Sequence, residues 1–181
     1  MALFTLLQSL CSRVAQRSTV LALDRVGREA ENALAGEPNR EADMQRTATC
    51  HCGALKVIAS GEPERVYLCH CQACQRRTGT AFHFGTSWPK SQVRIEGAHK
   101  IYERGADSGS KIRFYFCPNC GSNLYWESDR SPATCGVAGG AFTGSDLPSP
   151  ESSIFEDDMH DWLGLPSVTE HHRQGRPPVT G

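Results

Sequence analysis

Three thiols lie within six residues at Cys69-His70-Cys71-Gln72-Ala73-Cys74, and Gln75-Arg76-Arg77-Thr78-Gly79 follows at once. In an extended segment, positions i and i+2 share a face, so Cys69 and Cys71 can point together while His70 points away. A turn over Cys71-x-x-Cys74 brings the third sulfur to the same point. Three converging thiolates form an incomplete tetrahedron, and zinc with three protein ligands and one open position is the arrangement of a catalytic site. Arg76 and Arg77, less than one helical turn past Cys74, are candidates to bind the carboxylates of a substrate. His70 and His83 lie near enough for proton transfer, but packing or hydrogen bonding is the simpler reading of each.

Four other cysteines form two short pairs. Cys117-Pro118-Asn119-Cys120-Gly121 is a zinc-knuckle turn, in which glycine supplies the positive φ that closes it. Cys50-His51-Cys52-Gly53 has the same glycine after its second thiol. Together the two pairs complete one four-sulfur tetrahedron, a closed site with a structural role. The triplet is then left as a separate zinc site. The alternatives are one zinc shared differently among the seven cysteines, or a free triplet of structural thiols. Zinc held by three thiolates carries net −1, which weakens it as a Lewis acid but leaves it able to hold an exogenous thiolate.

The chain has 181 residues, nine of them cysteine. Seven of the nine fall into those three groups. Such close spacings suit chelation better than disulfide pairing, and the odd total agrees with a reduced, cytoplasmic setting. Cys11 stands apart, and Cys135 reads as a buried core thiol. Charge is balanced at 19 basic and 20 acidic side chains, which gives no support for a nucleic-acid or membrane-surface role. No stretch approaches the ~20 apolar residues of a membrane span.

Around these motifs the chain reads as short strands: 54–59, 65–68, 81–87, 92–95, 111–116, 124–126 and 134–137. The one helix expected in this region is a short one around Gln72 to Thr78. An all-β fold, mainly strands with short helices in a sandwich or barrel-like domain, follows from that spacing. Residues 1–46 form an N-terminal extension, with Leu23, Val26, Ala30 and Leu34 at helical spacing. It reads as a transit-like or variable segment, with Met44 as a possible true start. Past Gly144 a Pro-containing tail is expected to wrap the domain, anchored by burial of Ile154-Phe155 and Trp162-Leu163. The zinc domain is placed at 47–165. Residues 166–181, including the His171-His172 pair, are expected to be a disordered tail.

The three cysteine motifs in this order resemble the glutathione-dependent formaldehyde-activating enzyme family, which includes centromere protein V (CENP-V/GFA). The resemblance covers residues 47 to about 142, with the Ile154–Trp162 stretch in the same style. It implies a zinc-tied β-tent fold with two zinc ions per chain. Cys50, Cys52, Cys117 and Cys120 match the structural zinc ligands, and Cys69, Cys71 and Cys74 the catalytic ones. It also implies a carbon–sulfur lyase reaction that joins glutathione and formaldehyde into S-(hydroxymethyl)glutathione, or reverses that step. The alternative from a different class is a non-catalytic, zinc-stabilised protein-binding module. Residues 47–142 carry 11 Lys/Arg against 7 Asp/Glu, only mildly basic, which weakens a nucleic-acid or microtubule role. A third alternative is a redox-sensing triplet.

Overall fold

The computed structural model describes residues 44–106, 109–144 and 147–175. The expectations for residues 1–43, among them the amphipathic helix and Cys11, lie outside the described residues. Eleven strands and one α-helix occur among the described residues, so the chain is mainly β, as its pattern predicts. The strands are β1 (Gln45–Thr49), β2 (Lys56–Ser60), β3 (Arg65–Cys69), β4 (His83–Pro89), β5 (Val93–Glu96) and β6 (Lys100–Gly105). They continue with β7 (Lys111–Phe116), β8 (Asn123–Ser128), β9 (Thr134–Ala138), β10 (Ser152–Ile154) and β11 (Glu170–His172). Helix α1 spans Gln72–Thr78, where the sequence places it.

Two sheets result. One has three antiparallel strands in the order β1-β2-β5, and the other has eight in the order β11-β10-β3-β4-β9-β8-β7-β6. Because side chains alternate along each strand, the register of the large sheet sorts them onto two faces. The pairs Phe114↔Trp126, Trp126↔Gly136, Gly136↔Ser87 and Ser87↔Arg65 run in one row across it. Tyr67, Cys69 and His83 belong to the same face by alternation and pairing. Trp88, Cys135, Val137, Tyr125 and Tyr115 point to the other face, where they join Ala48, Leu55, Val57 and Ala59 of the small sheet in the buried core. The molecule therefore buries its core against one face of the large sheet and builds its cysteine-bearing surface on the other. Cys135 is 3% exposed in this core, which accounts for it as a packing thiol.

The indole of Trp88 and the hydroxyl of Thr86 are satisfied inside the core. Trp88 Nε1 donates to Thr86 Oγ1 at 2.8 Å, and Thr86 Oγ1 donates to the Val137 carbonyl at 3.0 Å. At the rim, Glu127 accepts from Tyr115 Oη at 2.9 Å and pairs with Lys90 Nζ at 2.8 Å. Partial burial alone raises this carboxyl, but the Lys90 and Tyr115 contacts outweigh it and hold the carboxyl below its usual range. A depressed carboxylate stabilises the fold fully above its unfolded pKa and loses that contribution as pH falls. Wild type is therefore expected to lose about 1 kcal/mol more than Glu127→Gln between roughly pH 5 and pH 3. Chemical denaturation at a series of pH values measures this, and parallel profiles for the two proteins would refute it.

Four strands go beyond the expected set: β1, β6, β10 and β11. The C-terminal segment does more than wrap the domain, since β10 adds to β3 in parallel and β11 adds to β10 in parallel. Part of the stretch expected as a disordered tail is thus strand, and Val168 beside it is 8% exposed. His171 on β11 pairs with Glu156 at 2.7 Å rather than standing free in solvent. The expected anchor Trp162 is not buried: it is 72% exposed and stacks on His160. Hydrogen bonding of β10 to β3, with Ser152 and Ser153 buried, holds the segment in its place.

Candidate metal centres and the groove beside them

The two cysteine pairs meet. The sulfurs of Cys50, Cys52, Cys117 and Cys120 lie within 4.8 Å of one another. Each pair sits on a tight turn: Gly53 N donates to Cys50 O, and Gly121 N to Cys117 O, both at 2.9 Å. The glycines adopt φ of 80° and 74°, as the sequence requires of them. Leu55 N points at Cys50 Sγ at 3.2 Å, and Ser122 Oγ lies 3.3 Å from Cys120 Sγ. The Ser122 contacts push the Cys120 thiol down to about 5. Zinc–sulfur bonds of about 2.3 Å place tetrahedral sulfurs about 3.8 Å apart. The Cys50–Cys52 and Cys52–Cys117 separations are 3.6 Å each, so the donor set fits a closed zinc site. Such a site joins the β1–β2 loop to the β7–β8 turn.

The triplet forms a second cluster, again within 4.8 Å. Cys69 ends β3, and Cys71 caps α1 with its sulfur accepting from Cys74 N at 3.4 Å. Cys69 and Cys71 sulfurs are 3.5 Å apart, the spacing expected for two ligands of one zinc. Hydrogen bonds from Cys69 and Cys74 push the Cys71 thiol down to about 2, while the bond to Cys71 pushes Cys69 far up. One ionised sulfur in so close a set resists the ionisation of the next. A divalent cation removes that conflict, and no fourth protein ligand closes the set among the described residues.

The loop carrying the triplet is braced by the C-terminal segment. Gln75 Nε2 donates to His70 O at 2.6 Å and to Asp158 O at 2.9 Å. The Asp158 carboxylate faces Gln72 through its backbone N–H at 3.4 Å and its side-chain amide at 3.3 Å. His70 N donates to Ile154 O at 3.0 Å, which extends the contact with β10. The His70 ring is wholly buried beside Phe82, away from the sulfurs, as alternation predicts.

A groove of about 930 Å³ opens over the triplet. All three cysteines line it, with Arg76, Arg77, Arg104 and Arg130 around them and Asp158 as the one carboxylate among the described residues that line it. Arg76 is exposed and reaches back to Gln72 Oε1 at 3.0 Å. Arg77 is half-buried: it bonds to Asn123 Oδ1 and lies over the rings of Phe114 and Trp126 at 4.7 and 5.6 Å. His83 also lines the groove, 4.7 Å from Trp126, and its Nε2 is buried without a hydrogen-bond partner. Burial, then the Arg77 guanidinium, pushes its pKa down to about 3, so the ring is neutral near neutral pH.

Arg104, Phe114, Trp126 and Asp158 were not singled out by the sequence as site residues. The period-two pattern of 111–116 identifies a strand with two faces but not which face meets the core. Here Ile112 and Phe114 turn to the groove while Tyr115 enters the core. The Gly136 position carries a further signal. A Cβ there would stand 2.0 Å from Trp126 Cε2, so glycine lets the indole lie against the sheet. Gly136→Ala is expected to displace Trp126, cost about 1–3 kcal/mol and deform the groove. Thermal denaturation with tryptophan fluorescence measures it, and an unaltered spectrum and melting temperature would contradict it.

Residues 45–158 match the family model described as glutathione-dependent formaldehyde-activating enzyme. No curated protein matches the sequence. Among solved structures, the crystal structure of a Rhodobacter sphaeroides protein is similar, with 25% sequence identity, 55% of this chain and 90% of that chain covered, and a TM-score of 0.43. No described helix is long and apolar enough to cross a membrane. Because the matched segment holds all seven clustered cysteines and spans more than half of the residues, the chain belongs to the glutathione-dependent formaldehyde-activating enzyme family.

Proposed function

We propose that this chain is a zinc-dependent carbon–sulfur lyase that joins a low-molecular-weight thiol, glutathione, to an aldehyde, or cleaves the adduct. One observation carries the reading: three sulfurs converge on the wall of a groove ringed by arginines, while four others are gathered in a separate closed cluster. Family membership supports the same role at the level of the reaction class.

The closed cluster, Cys50, Cys52, Cys117 and Cys120, would hold a structural zinc, and Cys69, Cys71 and Cys74 the catalytic one. When bound at the triplet, zinc keeps an incoming sulfur in its thiolate form by lowering the thiol's pKa. The remaining work belongs to the chain. Arg76 and Arg77 receive the carboxylates of the peptide thiol, and Arg77, propped on Phe114 and Trp126, does so from a fixed position. Arg104 and Arg130 extend the cationic wall and offset the negative charge gathered at the cysteines. Helix α1, held by Gln75 and Asp158, keeps Cys71 and Cys74 in register with Cys69. The thiol sulfur then attacks the carbonyl carbon at close range, an addition that orientation alone accelerates.

The test is the exchange between glutathione with formaldehyde and S-(hydroxymethyl)glutathione, followed by NMR with zinc-replete protein. Exchange faster than the spontaneous rate supports the lyase. No acceleration with formaldehyde or any larger aldehyde, in protein that carries both zinc ions, would leave the chain a zinc-stabilised binding module.

A further inference from the structure

We infer that the aldehyde partner is an apolar one, carrying an aryl or alkyl group, rather than a one-carbon aldehyde. This rests on the thiol–aldehyde reading above and names the substrate class of that same groove. Volume alone does not decide the matter, because about 930 Å³ lies within the ~300–1,000 Å³ typical of small-molecule sites. The chemistry of the wall does. Tyr67, Ile112, Phe114, Trp126, Ile154 and Phe155 all line the groove that holds the triplet. All but Phe114 are half-buried, so each keeps apolar surface open to it.

These side chains are not there to complete the core, which lies on the opposite face of the large sheet. The backbone is also shaped to seat them. Gly136 allows the Trp126 indole to lie down, and a Cβ at Gly85 would stand 2.9 Å from Tyr67 Cζ. Phe155 holds φ at 58°, the one non-glycine residue in the left-handed region among those described, and its ring meets the groove beside Gly175. A left-handed phenylalanine is unfavourable on its own, so the fold retains it against a local cost.

A one-carbon aldehyde has no hydrocarbon to place against this wall, and the arginines already suit the charged ends of the peptide thiol. The surface that remains matches the substituent on the carbonyl carbon. The reaction balances without an oxidant or reductant. The thiol sulfur forms a bond to the carbonyl carbon, the π pair moves to oxygen, and that oxygen takes up a proton equivalent to the one the thiol gave up.

Stable S-conjugates of glutathione separate this inference from the reading beneath it. Dissociation constants of S-methylglutathione and S-benzylglutathione are measured by calorimetry on the zinc-loaded full chain. The benzyl conjugate is expected to bind about ten- to a hundredfold more tightly, the gain from burying a phenyl ring. In Trp126→Ala, checked for folding by circular dichroism, that ratio is expected to fall to about threefold or less, and Ile112→Ser supplies a second variant on the same wall. If S-methylglutathione binds and the benzyl conjugate is no tighter, the apolar substrate class is wrong while the thiol reading stands. A preference that survives in both variants places the ring elsewhere and also overturns the inference. If neither conjugate nor glutathione binds, the thiol reading fails and the inference falls with it.

Discussion

Cys117→Ser is expected to abolish cooperative folding. Cys117 is completely buried, and its sulfur lies 3.6 Å from that of Cys52, a residue 65 positions earlier in the chain. The four-sulfur cluster joins a loop of the small sheet to a turn of the large one, across the layer where the core is formed. Serine keeps the shape but replaces a thiolate with a hydroxyl that is a poor zinc ligand. Structural zinc contributes on the order of 10 kcal/mol or more, against a total stability of about 5–15 kcal/mol for a domain. Removing one ligand therefore consumes most or all of the margin. Circular dichroism during heating should show no sharp transition in the variant, and strong chelation of wild type should reproduce that loss. A variant melting within a few degrees of wild type would show that packing alone holds the two sheets together.

Cys71→Ser is expected to do the opposite: leave the fold intact and reduce turnover to the spontaneous rate. Cys71 is only half-buried, and its local structural task is to cap α1 by accepting from Cys74 N. Serine is among the better helix N-caps, so that task survives the substitution. What is lost is one of the three sulfurs that lie within 4.8 Å of one another and would hold the metal ion. Elemental analysis should find one zinc per chain in place of the two that the clusters can hold. The melting curve should stay close to that of wild type. An unchanged rate in this variant would end the lyase proposal. The contrast between the two serines is the sharper result, because a single shared zinc would make both substitutions unfold the chain.

Cysteine chemistry made both clusters legible in advance. Chelation imposes short local spacings, and thiols two or three positions apart can converge in few ways. The positive φ of Gly53 and Gly121 followed from the same local geometry, as did helix α1 after Cys71. Most strands were visible for a similar reason, since period two is a property of neighbouring residues. The tail was not legible. Ser152–Ile154 has three residues and no alternation to read, and it becomes a strand only because β3 offers it a parallel edge. Trp162 misled because a large apolar ring in a sparse segment suggests burial, whereas the segment is held by backbone pairing and leaves the ring outside.

By itself the sequence marked which seven cysteines cluster, and the structure gathers them as a set of four and a set of three that could each hold a metal ion. Only the tertiary structure decided what faces the open set. Arg104, Phe114 and Trp126 come from strands 30 or more residues beyond Cys74 in the chain, and pairing register alone delivers them to the cysteine face. Register depends on every strand of the sheet at once, and a slip of one residue would send those side chains into the core. That dependence is non-local, so no short stretch of residues carries it.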